Sequence, residues 1–174
     1  MKTQGAFRTY KERGEWVELQ FVATAAQHGL RAVKPYGDSA RYDFIVETER
    51  GFARVQVKST AYKVKRTYAC CAHPNQRTRP YTRREFDFLA AYVIPEDVWY
   101  IIPARRVLKG NMGFVSLSPS VPGHKYEKYK EAWELLRRGS GRKIAQLSAA
   151  AAPASLGMTR NRSQPRATQA SLRG

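Results

Sequence analysis

The chain has 174 residues, the length of one domain with little room for a second. Its 31 Lys and Arg residues against 14 Asp and Glu give a formal charge of +17, while a hydrophobic fraction of 43% excludes a wholly disordered basic chain. No apolar run reaches the roughly 18–20 residues of a membrane-spanning helix. The expected partner is a polyanion, with nucleic acid first and an anionic membrane surface second.

The first predicted element is a helix. Thr9 and Glu12 fit a capping box at its start, and Gly29 is suited to end it just after His28. After it, hydrophobic patterning predicts extended segments at 33–36, 42–47, 52–59, 86–93 and 98–102, and a last helix at 126–138. A helix, several strands and a helix in this order predict an α/β or α+β domain with a mixed sheet.

The hairpin formed by 42–47 and 52–59 has a predicted register. Pairing Glu47 with Phe52 sorts six apolar side chains onto one face, namely Tyr42, Phe44, Val46, Ala53, Val55 and Val57. On the other face Asp43 then lies opposite Gln56, and Lys58 follows two residues further on. A carboxylate, an amide oxygen and an ammonium converge there, and hard oxygen ligands of this kind suit Mg²⁺.

Two further carboxylates need partners. Glu18 lies on the apolar, inward face of the first helix, so it requires either a metal or a cation. The cation could be Lys58 or an arginine, and the pattern does not decide between an ion pair and a metal site. Asp87 begins a buried strand, where we expect a structural hydrogen bond or salt bridge.

The basic residues are concentrated in one part of the domain. No acidic residue lies between Glu49 and Glu85, and tyrosines alternate with the cations there, a combination that suits a nucleic-acid groove. An ordinary solvated surface is the alternative explanation. The candidate DNA contacts are Arg41, Arg54, Lys63, Lys65, Arg66, Arg77, Arg79, Arg83 and Arg84.

The composition changes at Gly139. From there to the end the chain has six basic residues, no acidic one, an alanine run and few large apolar side chains. Such a segment cannot bury enough surface to offset the entropy of ordering. Residues 139–174 are therefore predicted to be a disordered basic tail, and residues 1–138 the globular domain.

The two cysteines and the N-terminal residues indicate the cellular compartment of the protein. Cys70 and Cys71 are adjacent, so they point to opposite faces of a strand and are poorly placed to bond each other. We expect them to be reduced. The first eight residues lack the apolar stretch of a secretory signal, so a cytoplasmic location is expected.

The hairpin residues, taken with the helix before them, carry a family resemblance. Asp43 followed by Gln56-Val57-Lys58, after the Gly14-Glu15-Trp16-Val17-Glu18 helix, resembles the PD-(D/E)XK nuclease superfamily, and within it the group I intron homing endonucleases of the Asp…Gln-x-Lys type. Lys34-Pro-Tyr-Gly-Asp38, the stretch from Asp87 to Pro95 and Trp99-Tyr-Ile-Ile-Pro103 are similar to that subgroup as well. The likeness covers about residues 10–137.

The resemblance implies a restriction-endonuclease-like core, a central mixed β-sheet flanked by helices. It implies Mg²⁺-dependent hydrolysis of DNA phosphodiester bonds, in which Mn²⁺ can substitute, and often a dimer, so a homo-oligomer is an expected form. Position by position, it makes Glu18 and Asp43 acidic metal-site residues, Gln56 the substitute for the usual second acid, and Lys58 the catalytic lysine. A neutral Gln56 should weaken metal binding. The alternative function is a non-catalytic basic nucleic-acid-binding protein, either a decayed nuclease or an architectural module.

Overall fold

The computed structural model describes residues 7–37, 39–73, 81–82, 84–108 and 113–139. The chain divides into two compact units, Met1–Ile144 and Ala145–Gly174, and the second lies outside the described residues. The predicted tail at 139–174 also lies outside them, apart from Gly139, so its disorder stays a prediction. In the described part of the chain, no helix is long and apolar enough to cross a membrane.

The first helix, α1 (Tyr10–Gln27), begins and ends where the capping signals predict. The Thr9 side chain accepts a hydrogen bond from the Glu12 backbone N at 3.1 Å. The Glu12 carboxylate accepts one in return from the Arg8 N at 2.8 Å, one residue earlier than in the standard capping box. Gly29 follows the helix with φ of +69°, a left-handed conformation that glycine adopts without strain.

The strands form two sheets. They are β1 (Ala32–Val33), β2 (Phe44–Thr48), β3 (Gly51–Thr60), β4 (Lys63–Val64), β5 (Thr67–Cys71), β6 (Phe88–Val93), β7 (Val98–Pro103) and β8 (Phe114–Leu117). The main sheet has the order β1-β2-β3-β6-β7, and only its β3–β6 pair is parallel. This is the predicted mixed sheet.

The hairpin of β2 and β3 has the predicted register. Glu47 pairs with Phe52, and Phe44 pairs with Val55. Five of the six side chains assigned to the apolar face pack into one buried cluster with α1. Tyr42 is the exception: it precedes β2 and packs against the cluster on the opposite side of the sheet.

Two buried clusters cover the two faces of the main sheet. On one face α1 and α3 (Glu134–Arg138) pack over the odd-numbered side chains of β3. On the other face lie the small β4-β5-β8 sheet, α2 (Ala104–Val107) and a 3-10 turn at Glu127–Tyr129. Strand β6 is buried on both faces, as expected for a central strand.

The prediction of a single helix at 126–138 is wrong. The segment instead consists of the 3-10 turn, an irregular stretch and the short α3. Glu131 lies between them with φ of +49°, and its carboxylate accepts hydrogen bonds from Trp99 N at 2.6 Å and Trp133 Nε1 at 2.8 Å. These bonds to β7 and to a core indole replace the helical turn that the apolar spacing indicated.

Candidate active site

Asp43 lies just before β2, at the point where the pairing between β2 and β3 ends. Its backbone N donates to Val55 O at 2.9 Å, but β2 begins only at the next residue, so the later residues of β3 have no β2 partner. The Asp43 carboxylate takes the place of the missing strand. Its Oδ2 accepts hydrogen bonds from Val57 N at 2.6 Å and from Gln56 Nε2 at 2.5 Å.

This open edge of β3 exposes backbone oxygen as well as side chains. The N–H and C=O of one strand residue point to the same side, so Val57 O faces the same gap as Val57 N. The Gln56 Nε2 lies 3.5 Å from Val57 O. Gln56 is buried and Lys58 partly exposed, and both project from the face of β3 opposite α1.

The electrostatics of Asp43 show which charges surround it. The pKa of Asp43 is raised from 3.8 to about 6, with burial as the largest cause and the negative charge of Glu18 acting in the same direction. The hydrogen bond from Val57 N and the positive charges of Lys58 and Lys34 act in the opposite direction. Glu18 from α1 and Lys58 from β3 therefore both act on the Asp43 carboxylate, although they come from opposite sides of the sheet.

Glu18 has a cationic partner, and that partner is Lys34. The Lys34 Nζ donates to Glu18 Oε2 at 2.7 Å, which raises the pKa of Lys34. The residue pattern suggested Lys58 or an arginine for this place. Lys34 directly follows β1, whose antiparallel pairing with β2 brings it beside α1. The Lys34-Pro-Tyr-Gly segment was part of the family resemblance, but nothing in the pattern assigned this lysine a role at the site.

The donor atoms fit a hard divalent cation. Asp43 Oδ2 is hydrogen-bonded, while Oδ1 accepts no hydrogen bond from the described residues. Asp43 Oδ1, the Glu18 carboxylate and the Gln56 amide oxygen are hard oxygen atoms, which suit Mg²⁺ with several retained waters. It is the Gln56 Nε2, however, that contacts Asp43 and Val57 O, so Val57 O already has a hydrogen-bond donor. Among the described residues, no three His, Cys, Asp or Glu side chains form a metal-binding group.

The candidate DNA contacts fall into separate groups. Lys63, Lys65, Arg66 and Arg84 are exposed, and the middle two form the turn that joins β4 to β5. Arg77, Arg79 and Arg83 lie outside the described residues. Arg41 is partly exposed and pairs with Glu85 at 3.1 Å, with its guanidinium 5.0 Å from the centre of the Tyr81 ring.

Arg54, another candidate contact, is buried in the fold. Its side chain is 7% exposed and pairs through Nε with Asp87 Oδ2 at 3.2 Å, while its Nη1 donates to Arg84 O at 2.5 Å. Residue 54 lies on an interior strand, where a charge needs a partner. Arg54 is therefore buried in the domain rather than available to DNA, and the structural salt bridge expected for Asp87 is confirmed.

Sequence reasoning missed one aromatic neighbour of the site. Burial raises the pKa of Tyr81 to about 12, and the negative charge of Asp43 acts in the same direction. The Tyr81 ring makes an edge contact with Phe86 at 5.2 Å between centroids. In the sequence, Tyr81 is one of the tyrosines that alternate with basic residues, and its place beside Asp43 depends on a loop that the sequence pattern does not define.

A mixed sheet with a carboxylate, an amide and a lysine at its open edge is typical of a nuclease core. A family model and a solved structure are similar to this chain and support the same class. The PD-(D/E)XK endonuclease family model matches residues 8–136, so the chain belongs to that family. Nucleases of this family generally use divalent metal ions. A solved structure of a bacterial homing endonuclease, I-Ssp6803I, is similar with a TM-score of 0.62 and 26% identity, covering 82% of this chain and 97% of the other. No curated protein matches the chain.

Proposed function

We propose that this protein is a Mg²⁺-dependent DNA endonuclease of the homing or restriction type that hydrolyses phosphodiester bonds. One observation carries the proposal. Asp43 lies at the open edge of β3, hydrogen-bonded to Gln56 and Val57, and within the electrostatic reach of Glu18 and Lys58. The family membership and the similarity to a homing endonuclease support the same activity.

Each residue of the site has a distinct role in this proposal. Asp43, Glu18 and the Gln56 amide oxygen hold the cation, which when bound polarises a phosphate and lowers the pKa of a bound water. Gln56 also fixes the Asp43 carboxylate by donating from its Nε2 to Oδ2, which leaves Oδ1 without a hydrogen bond from the described residues. Lys58 places an ammonium where negative charge builds up on the phosphate.

The proposed DNA surface consists of exposed cations from the segment between Glu49 and Glu85, which contains no acidic residue. The turn at Lys65 and Arg66 projects from the small sheet, and Lys63 and Arg84 are exposed as well. Phosphate contacts of this kind give affinity that falls steeply with salt and carries little sequence information. We include Arg77, Arg79 and Arg83 in this proposal because they lie in the same segment of the sequence, outside the described residues.

The test separates binding from cleavage. Duplexes that bind the protein in Ca²⁺ are selected from a randomised pool, and their cleavage is then measured in Mg²⁺, in Mn²⁺ and in EDTA. We expect cleavage only with Mg²⁺ or Mn²⁺. Lys58→Ala should retain duplex affinity and lose roughly 100–1,000-fold in cleavage rate. Lys128→Ala, an exposed lysine on the 3-10 turn, is the control and should cleave normally.

Two results would contradict the proposal. Undiminished cleavage by Lys58→Ala would remove Lys58 from the chemistry. Tight, salt-dependent binding without cleavage in either metal would favour the alternative function, a non-catalytic basic nucleic-acid-binding protein.

A further inference from the structure

The ion pair between Lys34 and Glu18 changes the charge of the proposed metal site. Two carboxylates, Glu18 and Asp43, face two ammonium groups, Lys34 and Lys58, so the formal charge of the four side chains is zero. Glu18 Oε2, an oxygen that a metal would use, is bound to Lys34 Nζ at 2.7 Å. A divalent cation that approaches Glu18 therefore meets an ammonium already in place.

We propose that Lys34 is a displaceable counter-ion that occupies Glu18 in the DNA-free protein and moves to a DNA phosphate in the complex, so that the divalent cation binds tightly only together with DNA. This inference rests on the proposed function, because it assumes that Glu18 and Asp43 hold the cation. It assigns to Lys34 a role in coupling metal binding to DNA binding and gives it no part in bond cleavage.

The two side chains of the ion pair between Lys34 and Glu18 differ in their exposure to solvent. The Lys34 side chain is 66% exposed, whereas that of Glu18 is 25% exposed. An ion pair with one long, solvated partner contributes little to stability, so it breaks easily when another anion is offered. A phosphate is such an anion. When the lysine moves to it, Glu18 is released and negative charge is added beside the site.

The position of Lys34 in the chain allows this movement. It lies outside β1 and is followed by Pro35, by the fully exposed Tyr36 and by Gly37 at φ of +77°. This segment projects from the surface beside the open edge of β3. Lys58, in contrast, lies within β3, where pairing with β6 fixes its backbone.

The experiment measures Mn²⁺ binding to the intact protein by electron paramagnetic resonance, with and without a duplex selected in Ca²⁺. For the wild type we expect weak binding without DNA and much tighter binding with it. Lys34→Met should bind Mn²⁺ roughly ten-fold more tightly without DNA, since one repelling charge is removed. The ratio of affinities with and without duplex should fall. Lys34→Arg keeps the charge and should restore the wild-type ratio.

Lys11→Met is the matched control. Lys11 pairs with Glu15 at 3.9 Å one turn earlier on α1, with both side chains largely exposed. Removing it takes one positive charge from an ion pair on α1 that does not include Glu18, so the Mn²⁺ affinity should not change.

The outcomes separate this inference from the proposed function. If Lys34→Met binds Mn²⁺ no more tightly than the wild type, or more weakly, Lys34 is not a competitor for Glu18 and this inference is wrong. If Asp43→Ala binds Mn²⁺ as well as the wild type does, with or without duplex, the cation does not bind at this site, and both proposals are wrong.

Discussion

Asp43 should make the folded protein less stable at neutral pH than it would be with a neutral side chain. Its pKa is raised from 3.8 to about 6 in the folded protein, with burial as the largest cause. The folded state therefore holds this proton more tightly than the unfolded chain does. The stability contributed by this carboxyl is greatest below about pH 4 and falls as the pH rises through about 6.

The size of the effect follows from the two pKa values. A difference of about 2.2 between them corresponds to about 3 kcal/mol above pH 7. Asparagine has nearly the same shape and no charge, and its Oδ1 can still accept from Val57 N. Asp43→Asn should thus raise the free energy of unfolding by about 2–3 kcal/mol at pH 7.5 and by almost nothing at pH 4.

Urea denaturation in EDTA at pH 4, 5.5 and 7.5 measures this difference. The gain should grow across the series, while the variant loses cleavage. Glu49→Gln, at an exposed carboxylate in the β2–β3 turn, is the control and should show no comparable gain. An Asp43→Asn protein that is no more stable at pH 7.5, or equally stabilised at all three pH values, would refute the electrostatic reasoning.

Two further predictions concern neighbouring pairs. Arg54→Met removes the guanidinium that pairs with the buried Asp87 carboxylate, so urea denaturation should show a loss of about 3–5 kcal/mol, and Arg54→Met with Asp87→Leu should recover much of it. A double variant no more stable than the single one would show that the buried charge is not the cause. Gln56→Glu places a second carboxylate beside Asp43, so it should lower stability in EDTA at pH 7.5 by about 1–3 kcal/mol and raise the thermal shift caused by Mg²⁺. Equal Mg²⁺ shifts in Gln56→Glu and the wild type would contradict a role for residue 56 in holding the cation.

The sequence predicted the hairpin well because its register depends on local alternation. A slip of one residue would turn Val55 and Val57 to the other face, so only one pairing buries the apolar set. That pairing predicts the contact between Asp43 and Gln56, which the side chains make although the ladder itself ends at Phe44 and Val55. The last helix could not be predicted in the same way. Tyr129 and Trp133 are buried as their spacing indicates, but Glu131 bonds to a strand thirty residues earlier in the chain, and no local pattern contains that contact.

The small β4-β5-β8 sheet escaped prediction for a related reason. Its first strand has two residues, Lys63 and Val64, and its third pairs with β5 across more than forty residues of chain. Strands this short give too few alternating positions to be recognised. Basic composition predicted a DNA-binding segment here, and the exposed turn at Lys65 and Arg66 is the part of it that the structure describes.

The unequal length of β2 and β3 is what makes the site possible. Gln56 and Lys58 project from one face of β3, whereas α1, which carries Glu18, packs on the other. A β2 strand that ran the full length of β3 would separate them. Because β2 begins at Phe44, the edge of β3 stays open at Val57, and the Asp43 carboxylate bonds the exposed backbone N–H instead of a strand. Charges from both faces then act on one carboxylate. The feature that defines the proposed site is the point at which a strand ends, and a variant that extends β2 past Asp43 should abolish metal binding without loss of the fold.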